Sequence, residues 1–408
     1  MVQEIAFGRH IIVFATEETT PGEQIFPGTG DAIFLTGEPS FKQARNFIPD
    51  AQRRETFSKV ERIKARLSPG EWSLPTYIKP SGEKGVAPEC GQLLEGLFGH
   101  EEVSASQKVE YLLKDPLITS FPFVLPTYTI WYRLGHTVFC NIGCVVNTGD
   151  ITIKAGNDDD SIVGITFGGF FMKQIRTGTD ALAAAAISGA TEITVNDARK
   201  FMAEGTIFRS VICIGALNNG GSGYEVTAVN YTTNVLTITP QLEDDANVGD
   251  VVKGYLPDPS EVGEPVHGRL GYVTFDEDSS PVNTPIIAAT IGINNNIKMI
   301  EDEKKDIDYP DDFIRPEERE VTLSIDCYFR KDVAARWYEV NAQKEKIIKI
   351  PAGDPTTPDG DGKRLRFEFP RVQLDTPDLG GSEEVVMTMP KAVLSSSSLE
   401  DEIKLVFD

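Results

Sequence analysis

The sequence predicts a mainly β (α+β) protein: two tandem β-sandwich domains, each with one flanking helix, and a small β-rich domain inserted between them. Three observations lead there. Runs such as Val321, Leu323, Ile325, Cys327 and Phe329 alternate apolar with polar residues at a period of two. Helical periodicity is confined to two short stretches. Between about residues 182 and 259 the pattern changes to short β runs joined by Asn, Gly and Asp turns, as in a small separate domain.

Residues 1–60 read as extended and turn-rich. IIVFA (11–15) is a strand candidate, and TTPGEQIFPGTGDAIF is punctuated by Pro and Gly. With so little apolar periodicity, this segment is expected to be an arm that docks on a neighbour. SKVERIKARLSPGEWSLPTYIKP (58–80) reads as two strands about a Pro-Gly turn, with Trp72, Leu74, Thr76 and Ile78 on one face. APECGQLLEGLFGH (87–100) places Cys90, Leu93, Leu94, Leu97 and Phe98 at helical spacing. Pro88 and Glu89 mark its start and Gly99 its end. YTIWYRLG and HTVFCNIGCVV are strands leading into a hairpin over 143–169. Its tip is acidic, and Val163, Ile165 and Phe167 share its buried face.

After the insert the first pattern returns. AATIGINNNIKMI is a strand, followed by an acidic loop (301–320), the strand VTLSIDCYF and a helix DVAARWYEVNAQK (332–344). The strands KIIKI, RLRFEFPRVQL, EEVVMTMPKAVL and EIKLVFD complete it. Leu365, Phe367, Phe369 and Val385, Met387, Met389 keep the period of two. Both halves thus run strand, loop, strand, helix, then strand and hairpin. PRVQLDTPDLGGSEEVVMTMPKA (370–392) repeats the 143–169 hairpin in pattern rather than in residue identity. A duplicated domain is the physical reading: 1–181 for the arm and first unit, 182–259 for the insert, 260–408 for a linker and second unit.

With 39 Lys and Arg against 62 Asp and Glu, the net charge is −23. That argues against binding nucleic acid by neutralising phosphates, and suits a surface that DNA does not stick to. The five cysteines (Cys90, Cys140, Cys144, Cys213, Cys327) lack zinc spacing and read as small buried side chains. The four histidines (His10, His100, His136, His267) lie far apart, and no nucleophile, phosphate-loop or metalloprotease motif is present. Asp158–Asp160, Asp276–Asp278 and Glu301–Asp312 lack the ligand offsets of a calcium loop and read as solvated tips. Trp72, Trp131 and Trp337 fit core positions, which leaves no aromatic-lined sugar cleft for paired carboxylates. No signal peptide or membrane span is read. No catalytic residue, cofactor or metal ligand is nominated.

QARNFIPDAQRRETFSKVERIKARLSPGEWSLPTYIKPSGEKGVAPECGQLLEGLFG (43–99) resembles the first half of the tail tube proteins of long-tailed bacteriophages. That family carries in this order a basic strand, a G-x-W-S-L-x-x-Y-x-K-P-S-G strand and a G-V-A-P-E-x-x-x-L-L helix. TYTIWYRLGHTVFCNIGCVVNTGDITIKAGNDDDSIVGITFGGFF continues the likeness, and the second half ends in DEIKLVFD as such proteins do. The resemblance is strongest over 43–171 and omits the insert, which is similar to small β modules decorating some phage tail proteins.

The resemblance implies a virion structural protein, not an enzyme, assembled in the host cytoplasm without cofactor or membrane. Tube subunits are β-sandwiches whose sheets join into rings with a continuous inner barrel. A ring usually holds six sandwiches, so a chain with two would need only three copies. Implied partners are other copies of the chain, tail terminator and baseplate proteins. The tape measure protein and DNA would pass through an acidic lumen without specific binding. Two loops, Asn46–Phe57 and Glu301–Glu320, are expected to reach an adjacent ring, with Asn46, Asp50, Arg53, Arg54, Glu301, Asp306, Asp311, Asp312 and Arg315 as candidate contacts. Removing the insert is expected to leave assembly intact. The alternatives are a tail terminator or baseplate ring protein, a secreted adhesin whose insert binds carbohydrate or a receptor, and a glycan hydrolase.

Overall fold

The computed structural model describes residues 11–49, 62–113, 125–156, 161–204, 208–268, 272–277, 280–300, 309–310, 312–329, 345–353, 362–380, 385–394 and 401–408. The chain is mainly β, with 55% strand, 6% helix and one α-helix among the described residues.

The first half begins with β1 (Ile12–Glu17), β2 (Ala32–Ile33), β3 (Ser40–Lys42), β4 (Arg45–Pro49), β5 (Arg62–Leu67) and β6 (Gly70–Tyr77). Helix α1 (Gly91–Phe98) is followed by β7 (Gly99–Ser104), β8 (Lys108–Leu113), β9 (Tyr128–Leu134), β10 (Thr137–Lys154), β11 (Gly164–Phe171) and β12 (Lys173–Thr177). The insert holds β13 (Thr179–Ala181), β14 (Glu192–Thr194), β15 (Ala203–Glu204), β16 (Phe208–Arg209), β17 (Val211–Ile214), β18 (Tyr224–Asn230), β19 (Val235–Thr239) and β20 (Val251–Gly254). The second half opens with β21 (Tyr272–Glu277), β22 (Ser280–Pro285), β23 (Ala288–Asn294), β24 (Lys298–Met299), β25 (Phe313–Ile314) and β26 (Glu320–Tyr328). It closes with β27 (Glu345–Gly353), β28 (Arg364–Leu374), β29 (Asp378–Gly380), β30 (Val386–Val393) and β31 (Lys404–Phe407).

In each half one long strand serves two sheets. Residues 137–144 of β10 pair with β9 and β12, whereas residues 145–154 pair with β11 and β23. In the second half β28 pairs with β31 through residues 365–368 and with β30 through residues 372–374. The result is the same antiparallel layout twice. One sheet runs β2–β1–β9–β10–β12 in the first half and β22–β21–β27–β28–β31 in the second. The other runs β3–β6–β11–β10 and then β23–β26–β30–β28, with β29 extending β28 along β30. These last two units join edge to edge where β10 pairs with β23, Ile151 opposite Ile291, and make one long eight-stranded sheet.

The apolar alternation explains the packing. Trp72, Leu74, Phe167, Ile151, Ile291, Ile325 and Phe367 all point into a single core shared by both halves. Helix α1 buries Leu93, Leu94, Leu97 and Phe98 in that core and stops at Gly99, whose φ of +99° suits glycine. The 332–344 helix lies outside the described residues. SPG separates β5 from β6 as expected, but the two do not pair: β5 pairs with β4, while β6 pairs with β3 and β11.

The N-terminal segment is not an arm from residue 12 onward. β1 pairs with β2 and β9 inside a sheet, and Val13, Phe14 and Ala15 are buried. Val13 and Ala15 face the shared core, whereas Phe14 faces the insert, so the strand reads as an unbroken apolar run instead of an alternating one. The insert has its own core around Ile193, Tyr224, Val226 and Leu236. It also covers Trp131, Val138, Cys140 and Ile175 with Phe208, Val211 and Leu256. Excising 182–259 therefore uncovers apolar surface of the first half.

Asn295 pins the two halves together beside the β10–β23 joint. Fully buried, it donates from Nδ2 to the carbonyls of Leu97 (3.0 Å) and Val146 (3.2 Å), and Arg319 Nε donates to its Oδ1 (2.7 Å). The Leu97 carbonyl is one of those a helix C-terminus leaves without an intrahelical partner. Asn295→Leu should lower the unfolding free energy by about 3 kcal/mol, because buried polar groups lose their partners. Urea denaturation checks it, through a lower midpoint at unchanged slope.

Candidate functional site

The candidate site is a surface: the solvent face of the long sheet and its two open edges. Many side chains opposite the core are small and polar, among them Ser73, Thr148, Thr152, Thr166, Thr290, Thr322 and Ser324, while Tyr77 and the exposed Tyr328 also lie on this face. Glu71, Asp150, Glu320 and Asp326 share this face with Lys42 and Lys154. Glycines keep it low: a Cβ at Gly168 would sit 2.5 Å from Thr148 Oγ1, and one at Gly292 would sit 2.6 Å from Thr322 Oγ1. One edge is β3. The other is β29, where Leu379 is 49% exposed, because Val372 and Gln373 of β28 are already paired with β27 on that side.

The crossing of β10 between sheets is held by a buried carboxylate. Glu18 Oε1 accepts from Thr129 Oγ1 and Gly143 N, and Oε2 from Thr127 Oγ1 and Gly22 N, all at 2.7–2.8 Å. Gly143 has φ +65°, and a Cβ there would meet Met172 Sδ at 2.4 Å. Only glycine fits this turn. Burial pushes the Glu18 carboxyl above its ordinary 4.5, against the pull of the four donors.

The predicted contact residues are only partly within view. Asp50, Arg53, Arg54, Glu301, Asp306 and Asp311 lie outside the described residues. Asn46 is on β4, in a two-stranded β4–β5 hairpin that pairs with no other strand among the described residues. Asp312 is exposed at the foot of the β24–β25 hairpin. Arg315 is half-buried, and its Nε donates to the Asn295 carbonyl at 3.1 Å, so it braces the joint between the halves. Sequence reasoning passed over Tyr309, which anchors the acidic loop: the Arg66 guanidinium donates to its carbonyl, and its ring meets Phe208 edge-on. Lys173, paired with Glu204, lies over both rings. Nothing in the periodicity of EDEKKDIDYPDD marks that tyrosine.

The chemistry-bearing side chains are dispersed. All five cysteines are buried and unbridged, and burial raises the thiols of Cys90, Cys140, Cys144 and Cys213, Cys90 to about 12. No group of three or more His, Cys, Asp or Glu could hold a metal ion among the described residues. Trp72 and Trp131 are core residues, and Trp337 lies outside the described residues. A cleft of about 630 Å³ is lined by Ser81, Glu264, His267 and Lys363 among others. No helix of the described residues is long and apolar enough to cross a membrane.

Because the folded protein holds the Glu18 proton more tightly than the unfolded chain does, its contribution to stability is greatest below about 4.5 and is lost as pH rises through the raised folded value. The unfolding free energy of the wild type, relative to Glu18→Gln, should therefore fall from acid to neutral pH. Urea midpoints of both proteins across that range test it; a difference that stays flat or rises refutes the assignment.

No protein-family model matches this chain, and no curated protein matches it in sequence.

Proposed function

We propose that the chain is the structural subunit of a bacteriophage tail tube, in which three copies close into a ring and rings stack around a lumen that conducts DNA. One observation carries this reading. The long sheet consists of two four-stranded units of identical order, joined edge to edge, with the same two kinds of edge left open at its ends. At the internal joint, the last strand of one unit (β10) pairs with the first strand of the next (β23). A second copy offers β3 to the β29 edge in the same sense, so the joint that exists once within the chain can repeat between chains.

A heterologous joint of this kind generates a ring if its rotation closes. Closure also removes the two open edges, which are otherwise templates for uncontrolled pairing. Six units around a ring need three chains. The solvent face of the long sheet supports a DNA-conducting lumen: hydroxyls and carboxylates predominate, with few cations to hold phosphates. No chemical step belongs to this role. Its partners would be other copies, terminator and baseplate proteins, with the tape measure protein and DNA passing through the lumen in the virion.

Native mass spectrometry should find three chains per ring, and negative-stain microscopy should find tubes with a central channel. Six chains per ring, or a monomer that persists at high concentration, would sink the proposal. Leu379→Lys, which places a charge on the exposed edge, should leave a folded protein that no longer forms rings. Size-exclusion chromatography with circular dichroism separates that outcome from misfolding.

A further inference from the structure

The β4–β5 hairpin and the β24–β25 hairpin occupy equivalent places, each leading from the first strand of its four-stranded unit to the second. Their surroundings differ. Phe313 and Met299 of β24–β25 pack on Leu125, Val145, Phe170 and Met172 of the first half, so this hairpin rests on the unit that precedes it in the chain. On β4–β5, Arg66 at the base of the hairpin holds the Tyr309 carbonyl of its own chain, whereas Phe47 further out is 53% exposed. Phe47 lies opposite Lys64, with Arg62 two residues along, so these three share one face, and both cations are exposed.

The two hairpins also carry opposite charge. Residues 45–67 hold seven basic and three acidic side chains in a chain of net charge −23, whereas residues 301–320 hold ten acidic and four basic. On β25 the buried Phe313 points inward, leaving Asp312 and Ile314 exposed on the outer side, with Glu318 exposed just beyond. Glu317 is already paired with Lys298.

We propose that the β4–β5 hairpin is the docking element for a second copy of this chain: Phe47, Arg62 and Lys64 seat on Ile314, Asp312 and Glu318 of the preceding copy. This rests on the ring reading above and adds a charged lock to its joint. The charges set direction, because a basic hairpin meeting another basic hairpin is repelled. The joint then accepts only the second half of one chain against the first half of the next.

The full chain tests this by charge exchange. R62E/K64E should raise the protein concentration needed for ring formation at least about tenfold at low salt, with the circular-dichroism spectrum unchanged. D312K/E318K should do the same, and the variant carrying all four substitutions should recover rings. Added salt should weaken wild-type rings as well. Unaltered ring formation by R62E/K64E, or no recovery in the fourfold variant, overturns the charged lock while leaving the ring reading intact. Absence of rings from the wild type at any concentration overturns both.

Discussion

The architecture depends on one turn in one strand. β10 leaves the sheet it shares with β9 and β12 at Gly143 and enters the long sheet beside β11. That change of direction lets a single strand tie both layers of the sandwich to one core. It is held from outside the strand, by a carboxylate at the end of β1 that accepts four hydrogen bonds. A charge placed there is costly unless its acceptor sites are filled, and here each oxygen receives two donors. The glycine supplies the φ, Met172 fills the space where a Cβ would project, and Glu18 fixes the backbone N–H. Without the turn, β10 could not present its far end to β23.

The joint between β10 and β23 gives the two halves unequal status. Both have the same strand order, yet among the described residues only the first carries a hairpin such as β7–β8, and the insert follows the first. One equivalent hairpin is basic and supports an exposed phenylalanine, while the other is acidic and already seated. Two identical units would have been bound to equal surfaces. Fusion of two units into one chain permits each face to be tuned alone, and in the ring reading the six positions then alternate between two types.

Much of the fold was legible from residue order. The alternation at Leu323, Ile325 and Cys327, or at Phe367 and Phe369, names the core face directly, and the GxWSL strand and α1 fall where their patterns place them. Both acidic-tipped hairpins pair as read. The arm was misread because β1 is buried on both sides and lacks alternation, so its only signal was a five-residue apolar run. Gly143 inside NIGCVV is a visible interruption of a strand, but what it accomplishes depends on Glu18, far away in sequence. Asn295 sits in a run of three asparagines whose members are indistinguishable until one is seen capping α1. Pairing partners such as β10 and β23 are beyond local pattern altogether, since both are ordinary half-buried strands. The candidate surface was illegible in place, because which residues share the solvent face of the long sheet follows from that distant pairing.

The pairing of β31 sets how this molecule must fold. β31 lies between β28 and β8, with Leu405 opposite both Phe367 and Tyr111. Tyr111 and Leu405 lie far apart in the chain, so the ladder that unites the halves is a highly non-local contact. Loop closure over such a separation is slow, and β-rich topologies dominated by distant pairings fold slowly. Until β31 arrives, β8 has β7 on one side and an open row of amides and carbonyls on the other. During synthesis that edge is the vulnerable one, and its protection is a matter of timing: the first half must wait, with one edge unsealed, for the segment that seals it.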